Sequence, residues 1–296
     1  MEIDYVVPMV FDDDVLWQND YIANHRAKGY AVRNNVRFRS WGTEHLLVRC
    51  VKKFMPFVHN IYIILARESQ KRPWMDEEGV NVVFHGDFIP YRFLPCFNSC
   101  TIEMFLPFIP GLSEHFIYGN DDMFPLSPLT EEDFFVDGKP CQHLSIKTFP
   151  KDPNIFQQKC MNQQNMIGSA FGIRFTDTWY KNGHSLAPMV KSSCIEVRER
   201  FGKEIEEGIT LVRKPTSYNQ YIYVLWQHFT KNYTDKVPKR TYVSVKGGLE
   251  KMKDTILSDD AGIVCINDHE DVLDISEYAV TVREAIERIL KQHIQS

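Results

Sequence analysis

The sequence lacks any run of about 18 consecutive apolar residues, the length that a membrane-spanning helix needs. We therefore expect no membrane span. The amino terminus also lacks a basic region, an apolar segment and a cleavage site in the order of a secretory signal, so we expect no leader. Internal repeats and low-complexity segments are absent as well, which excludes repeat arrays, and the chain shows no clean domain boundary.

Paired cysteines and a net positive charge are missing too. The seven cysteines contain no Cys-x-x-Cys pair, and an odd number does not suit a complete disulfide framework or a zinc site. We expect reduced thiols and a cytoplasmic location. The net charge of −5 gives no overall basic field, so we expect no nucleic-acid partner. A local cluster of Arg and Lys would have to bind any anionic substrate.

The order of predicted elements indicates an α/β protein. Among 296 residues, 44% are hydrophobic and 25% are charged, which suits a globular chain with a sizeable core. Apolar runs predict strands at 3–10, 60–66, 80–84 and 116–118, and helical spacing predicts helices at 46–54 and 97–109. This alternation is typical of a doubly wound, mostly parallel sheet. Pro8 argues for an edge or a bulge near the end of the first strand.

Predictions for the second half are less complete. We expect a strand near 142–146, helices at 188–201 and 219–229, a strand at 263–266 and a core-facing amphipathic helix over 275–290. Residues 155–182 are rich in Gln, Asn, Met and aromatic residues, and their pattern predicts no element.

A cluster of acids follows the predicted strand at 116–118. Asn120, Asp121 and Asp122 would lie at its carboxyl end, where open α/β sheets bind ligands. Two adjacent carboxylates repel each other, and Mg²⁺ with the oxygens of a bound diphosphate would compensate them. A solvated Asn-Asp-Asp turn is the alternative, and the tripeptide alone leaves both open.

Two further clusters carry charge. Arg37 and Arg39 flank Phe38 just before a predicted helix, an arrangement that suits phosphate binding, although exposed arginines are usually only solvated. The three acids at 12–14 follow the first strand, where a solvated turn is the favoured interpretation.

Five blocks of the sequence resemble the Stealth proteins. They are RFRSWG at 37–42, PFVHNIYI at 56–63, LPCFNS at 94–99, IPGLSEHFIYGNDDMF at 109–124 and CIND at 265–268. That family includes bacterial capsule-type sugar-1-phosphate transferases and the catalytic subunit of the animal enzyme that starts the mannose-6-phosphate tag. The resemblance covers most of the chain and is densest from about residue 37 to 135.

The resemblance implies a fold and a domain organisation. The expected fold is a Rossmann-like, glycosyltransferase-A-like sheet, mostly parallel, with helices on both faces and a helical insertion. The expected organisation is a single catalytic domain over 1–296. In it, residues 1–140 form the half that binds the nucleotide sugar and the metal, and residues 141–296 form a helical, acceptor-side half that completes the site.

It also implies an activity. Family members move a sugar with its proximal phosphate from a nucleotide sugar to a hydroxyl, which forms a phosphodiester and releases a nucleoside monophosphate. The expected donor is of the UDP-hexose or UDP-N-acetylhexosamine type, and the expected acceptor is a glycan or a lipid-linked saccharide. The expected cofactor is Mg²⁺ or Mn²⁺, and the expected setting is bacterial capsule or cell-surface polysaccharide synthesis, with peripheral association with the envelope-synthesis machinery.

The resemblance assigns roles to particular residues. The catalytic candidates are His184, Asp122 and Arg213, and the metal ligands are Asp121, Asp122 and Asp268. It assigns substrate binding to Ser99, Glu103, Asn120 and Asn267, and Arg37, Arg39, Asn98 and Lys191 are further substrate-binding candidates. Neutral imidazole is a common general base near neutral pH, although a turn histidine after glycine is the plainer interpretation of His184. Ser99 and Glu103 would hold sugar hydroxyls, or would only cap a helix and place an acid in its first turn.

The sequence departs from the family pattern at two places. Residues 8–12 read PMVFD where relatives have Thr-Trp-Val-Asp-Gly, so the acid has moved or its role has passed to residues 12–14. Pro107 and Phe108 replace the usual His-Arg, which indicates a different donor sugar or acceptor. Two other functions stay open. One is a metal-dependent glycosyltransferase that moves the sugar without its phosphate, and the other is a non-catalytic glycan- or nucleotide-binding protein.

Overall fold

The computed structural model describes residues 1–32 and 38–292. The strands are Ile3–Pro8 (β1), Ile61–Leu65 (β2), Val80–Phe84 (β3), His115–Tyr118 (β4), Met123–Pro125 (β5), Phe135–Val136 (β6), Lys139–Gln142 (β7), Leu144–Thr148 (β8), Thr178–Asn182 (β9), Ala187–Val190 (β10), Thr234–Asp235 (β11), Arg240–Ser244 (β12) and Ile263–Asn267 (β13). The helices are Val15–Ala27 (α1), Glu44–Phe54 (α2), His85–Phe88 (α3), Ser99–Met104 (α4), Ile155–Ser169 (α5), Lys191–Arg200 (α6), Gly202–Glu207 (α7), Tyr221–Phe229 (α8), Leu249–Ile256 (α9) and Ser276–Gln292 (α10).

A five-stranded sheet in the order β10-β4-β1-β2-β3 forms the centre of the molecule. β1 pairs in parallel with β2 and with β4, and β2 pairs in parallel with β3. β10 runs antiparallel to β4 at one edge. The order 3-2-1-4 is that of a Rossmann sheet, whose strand order reverses between β1 and β4. The predicted α/β class with a mostly parallel sheet is confirmed.

Alternate side chains of the central strands enter two different cores. Ile3, Tyr5 and Val7 of β1 pack with α2, α9 and α10, whereas Val6 packs on the other face with α4, α6 and α8. Burial on both faces explains why these strands are apolar at nearly every position. The predicted helices on both faces are therefore confirmed.

Several predicted boundaries need correction. β1 is a central strand and not an edge strand, and its proline is tolerated because it is the last residue of the strand. The helix predicted at 97–109 ends at Met104 and is followed by a 3₁₀ turn at Leu106–Phe108. The helix predicted at 188–201 begins only at Lys191, because residues 187–190 pair with β4.

The segment with no predicted element forms the helical insertion. α5 lies between β8 and β9, which pair with each other as an antiparallel hairpin. The side chain of Asn154 caps the amino terminus of α5 by accepting a hydrogen bond from the backbone N–H of Gln157. The insertion expected from the resemblance is present.

The carboxyl-terminal helix and the cysteines agree with the sequence analysis. Val282, Ile286, Ile289 and Leu290 of α10 are buried in the core, as the amphipathic pattern predicts. All seven cysteines are free and buried. Within residues 1–32 and 38–292, no helix has the length and apolar character needed to cross a bilayer.

Candidate active site

A cavity of about 570 Å³ opens at the carboxyl ends of β1 and β4. This is the point at which the strand order reverses, where α/β proteins of this type bind ligands. Residues from both halves of the chain line the cavity, among them Asp121 and Asp122 from the first half and Lys159, His184 and Arg213 from the second. The cavity therefore lies at the strand ends where the sequence analysis expects the site.

Acidic side chains form one wall of the cavity. Desolvation at the cavity wall, together with the charges of Asp122 and Glu44, raises the pKa of Asp121 to about 8. Glu44 lies in the first turn of α2, is buried, and accepts a hydrogen bond from the hydroxyl of Ser40. Three acids with too few donors around them form a site that a cation would stabilise.

Asp122 is the centre of this wall. Its Oδ1 atom is buried without a hydrogen-bond partner among the described residues. Its Oδ2 atom lies 3.6 Å from Nε2 of His184 and accepts a hydrogen bond from the thiol of Cys265 at 3.4 Å. Burial and the charge of Asp122 raise the pKa of the Cys265 thiol, so it stays protonated while no metal displaces its proton.

The atoms around Asp122 fit a divalent cation. One ligand atom each from Asp122, His184 and Cys265 lies within 4.8 Å of the other two. The unpartnered Oδ1 atom and the raised pKa of Asp121, which a cation would lower, are further reasons to place a cation here. Carboxylate oxygens suit Mg²⁺ or Mn²⁺, whereas imidazole and thiolate ligands suit softer metals, so the ligand set alone does not select one ion.

A glycine allows the chain to turn into this acidic segment. Gly119 follows β4, and a Cβ atom there would overlap the hydroxyl of Tyr5 and approach Cδ2 of Leu186 to 2.7 Å. The hydroxyl of Tyr5 is buried and has no hydrogen-bond partner in the described part of the chain, and burial and the charges of Asp122 and Asp121 raise its pKa. Glycine is therefore required for the close packing beneath the acids.

Asp268 and Arg39 lie in the cavity but bind each other. Arg39 donates to Asp268 from Nε at 2.9 Å, and its Nη1 atom donates to the carbonyl of Leu273 at 2.9 Å. Nε1 of Trp41 also donates to Asp268, at 3.0 Å. The structure thus places Asp268, predicted as a metal ligand, in an ion pair with the arginine predicted to bind phosphate. Asn267 lies beside them in the same cavity, whereas Arg37 falls outside the described residues.

A second part of the cavity wall, the α4 wall, is built from α4 and the loop before α8. Arg213 donates from Nη2 to the hydroxyl of Ser99 at 2.7 Å, and both side chains line the cavity. Asn98 caps α4 through the backbone N–H of Cys100 and also donates to the carbonyl of Thr210 at 2.9 Å. The residue that caps α4 is therefore Asn98.

Glu103 is buried in the same wall. Its Oε2 atom accepts a hydrogen bond from the backbone N–H of Gln220 at 2.9 Å, which joins α4 to the start of α8. Glu103 also lines the cavity, and so does Asn120 on the acidic side. The structure therefore brings both Glu103 and Asn120, which were predicted to bind substrate, to the site. One carboxylate oxygen of Glu103 already accepts the hydrogen bond from the backbone of Gln220.

Lys191 does not reach the cavity. It follows β10, which runs antiparallel to β4. Lys191 therefore lies near the amino-terminal end of β4, away from the carboxyl ends of the strands that border the cavity. Its Nζ atom donates to the carbonyl of Leu112 at 3.0 Å. The misplaced helix boundary at 188–201 explains this difference, because the sequence analysis did not include the antiparallel strand.

The acids at 12–14 have structural partners. Asp14 caps α1 by accepting from the backbone N–H groups of Leu16 and Trp17. Asp13 forms an ion pair with Arg72, and Asp12 accepts a hydrogen bond from the backbone N–H of Ser40. None of the three lines the cavity. The structure therefore agrees with the turn interpretation.

The sequence analysis missed several cavity residues. Besides Glu44, they include Lys159 on α5 and an aromatic wall, which we define as Trp17, Tyr21, Phe38 and Phe97. Trp17 and Tyr21 stack one helical turn apart on α1, with ring centroids separated by 5.5 Å. Their spacing of four residues was visible in the sequence, but α1 has little amphipathic pattern and was not predicted.

The pH dependence of protein stability tests the burial of His85, a residue that lines the cavity. It is buried, and burial lowers its pKa to about 4. Between pH 6.5 and pH 4 the unfolded chain takes up this proton and the folded chain does not, so stability present above pH 6.5 is lost as the pH falls. The full loss for one such group is about 3 kcal/mol. In urea unfolding at pH 7.0 and 4.5, His85→Gln should lose less stability than the wild type, and equal losses would contradict this effect.

Comparisons with known proteins match one family model and several polysaccharide phosphotransferases. A family model described as Stealth protein CR2, conserved region 2, matches residues 37–142. A capsular polysaccharide phosphotransferase of Actinobacillus suis is 33% identical over 218 residues, which cover 69% of this chain and 57% of that protein. The receptor polysaccharide phosphotransferase WefC of Streptococcus gordonii is 26% identical over 98% of this chain and 97% of its own length.

The chain spans little more than half the length of the Actinobacillus relative. Among solved structures, the galactosyltransferase LgtC, in complex with donor and acceptor sugar analogues, aligns over 97% of this chain and 96% of its own. That alignment has 9% sequence identity and a TM-score of 0.44.

Proposed function

Because the chain belongs to the Stealth family, we propose that it is a sugar-1-phosphate transferase. It would move a sugar together with its phosphate from a nucleotide sugar to a hydroxyl of a glycan or lipid-linked saccharide. The names of its relatives support this reaction class and a role in capsule or surface polysaccharide synthesis. The observation that carries the proposal is the group of Asp121, Asp122 and His184 in one cavity at the strand-order switch.

The bonds that form and break in this reaction determine which groups the site must provide. The acceptor oxygen attacks the phosphorus next to the sugar, and the bond from this phosphorus to the oxygen that bridges the diphosphate breaks. The nucleoside monophosphate leaves with that oxygen, and the acceptor proton passes to a base. Such a transfer depends mainly on positioning and on stabilisation of the charge on phosphoryl oxygens.

Each wall of the cavity suits one part of this work. Asp121 and Asp122 would hold a divalent cation, Mg²⁺ or Mn²⁺, with His184 and Cys265 nearest to them. When bound, the cation supplies positive charge to the diphosphate. Arg213, held by Ser99, supplies a guanidinium for the phosphates from the other side. His184 accepts the acceptor proton at Nε2, the atom that lies 3.6 Å from Asp122.

The aromatic wall supports a nucleoside at the β1 side of the cavity. Trp17, Tyr21 and Phe97 are buried and packed edge to face, so they form a rigid apolar surface for a nucleobase. We propose a UDP-type donor there, with Asn120, Glu103 and Asn267 contacting its sugar or ribose hydroxyls.

Both halves of the chain contribute to the cavity, which supports a single catalytic domain divided near residue 140. The free buried cysteines support a cytoplasmic location.

The released nucleotide tests the proposal. The purified protein would be incubated with a panel of nucleotide sugars and an acceptor glycan in Mn²⁺ or Mg²⁺. We expect a nucleoside monophosphate, a phosphodiester signal of the product in ³¹P NMR, and an anomeric configuration equal to that of the donor, because the anomeric carbon does not react. A product without phosphorus together with a nucleoside diphosphate would establish a glycosyltransferase that moves the sugar alone.

A further inference from the structure

A buried cation without a counterion lies in the cavity. Lys159 lies on α5, the helix of the insertion, and only 7% of its surface is exposed. Its Nζ atom donates to Sγ of Cys100 at 3.5 Å, and no carboxylate among residues 1–32 and 38–292 forms an ion pair with it. Lysine is almost never buried in this way unless it is paired.

The thiol of Cys100 does not neutralise this lysine. Burial raises the pKa of Cys100, so its sulfur is an uncharged thiol and a weak acceptor. The ring of Phe156, one turn earlier on α5, has its centroid 5.6 Å from the ammonium nitrogen. At this distance a desolvated ammonium gains up to about 2 kcal/mol from cation–π attraction. Among the described residues, the ammonium of Lys159 therefore has a neutral thiol and an aromatic ring as its neighbours and no carboxylate at ion-pair distance.

The surroundings of Lys159 indicate what would compensate it. Phe156 and Lys159 both line the cavity, together with Arg213, Ser99 and Glu103 of the α4 wall. Arg213 keeps four of its five donor hydrogens beyond the one given to Ser99. Two cations that line one cavity with acids that suit a metal ion form a site for a ligand with several negative oxygens.

We propose that Lys159 is a phosphate-binding residue that donates from Nζ to a phosphoryl oxygen of the substrate. The inference rests on the proposed function for the identity of the anion. The phosphoryl group has two sources within that reaction, the diphosphate of the nucleotide-sugar donor and the phosphate of a lipid-linked acceptor. The shared chemistry is a phosphoryl oxyanion against a desolvated ammonium group.

The test uses Lys159→Gln and an exposed control, Lys151→Gln, which lies outside the cavity just before α5. Inorganic pyrophosphate would be titrated into the metal-free proteins by calorimetry. A hydrogen bond to a charged group contributes about 1.5–3 kcal/mol, so Lys159→Gln should weaken pyrophosphate binding about 10- to 100-fold. Lys151→Gln should bind pyrophosphate like the wild type. Equal affinity of Lys159→Gln and wild type would overturn the proposal.

The melting temperature of the ligand-free protein is a second measurement. It should fall in Lys159→Gln only if Lys159 has a structural role. Removing an unpaired buried charge should leave the melting temperature of the ligand-free protein unchanged or higher. The stabilisation by pyrophosphate should be largely lost in Lys159→Gln. If Lys159→Gln is unfolded or melts lower, Lys159 holds α5 on Cys100 instead, and the proposal is overturned.

Two further titrations distinguish the sources of the phosphate. Weaker binding of UDP alone would assign Lys159 to the donor, and weaker binding of farnesyl phosphate in detergent alone would assign it to the acceptor. If Lys159→Gln affects neither ligand, the inference fails. None of these measurements requires turnover. Dependence of pyrophosphate binding on Lys159 in a protein that forms no phosphodiester would therefore support this inference while the proposed function fails.

Discussion

Asp122→Asn should lower the rate of sugar-phosphate transfer by on the order of 10³-fold or more and leave the fold intact. The amide has the shape of the carboxylate but lacks its charge. Asp122 lies at the centre of the candidate metal group, and its Oδ1 atom has no protein partner that the substitution would remove. The charge that would hold a cation is lost, whereas few hydrogen bonds of the protein are lost.

Stability distinguishes this effect from unfolding. The carboxylates of Asp121 and Asp122 repel each other, and this repulsion contributes to the raised pKa of Asp121. Without metal, Asp122→Asn should therefore be at least as stable as the wild type. In the wild type, Mn²⁺ should raise the melting temperature, and in Asp122→Asn this gain should be much smaller. Turnover, calorimetric Mn²⁺ binding and thermal unfolding would be measured on the same preparations.

Asp13→Asn is a matched control for Asp122→Asn. Asp13 also follows a strand of the central sheet, but it forms an exposed ion pair with Arg72 outside the cavity. It also belongs to the acidic triplet that the sequence analysis considered as a replacement for the first acid of the family. We expect Asp13→Asn to keep wild-type turnover. Full turnover of Asp122→Asn, or of the wild type in excess EDTA, would exclude the metal role.

The parts of the site that follow from local pattern were predictable. A short apolar strand, a glycine and three polar residues place Asn120, Asp121 and Asp122 at a strand end, whatever the rest of the chain does. The cap of α4 is likewise a local interaction, because Oδ1 of Asn98 accepts from the backbone N–H of Cys100, only two residues on.

The contacts between distant segments could not be predicted from local sequence patterns. Cys265 reaches Asp122 because β13 pairs with β5, a strand of only three residues whose alternation is too short to recognise. The ion pair of Arg39 with Asp268 joins positions 229 residues apart, and no pattern in the sequence signals it. Lys159 was missed because α5 is polar around most of its circumference, so helical periodicity is weak there.

His184→Ala should lower kcat by about 10²- to 10⁴-fold, the range expected for the loss of a general base. Binding of the nucleotide-sugar donor and of Mn²⁺ should change little, because the work of the base is done in the transition state. A matched control is His143→Ala, which removes the exposed His143–Asp235 pair outside the cavity.

The same variant decides between two roles that the geometry allows. His184 lies in the group of three residues around Asp122, so its imidazole is placed either to hold a cation or to accept the acceptor proton. Loss of a metal ligand would weaken Mn²⁺ binding by at least about tenfold and would lower kcat through an empty site, a loss that excess Mn²⁺ would partly restore. Loss of a base would leave Mn²⁺ affinity unchanged and could not be restored by more metal. We expect the second result, because Asp121 and Asp122 already offer four carboxylate oxygens for a cation, whereas the described cavity offers no second histidine beside Asp122.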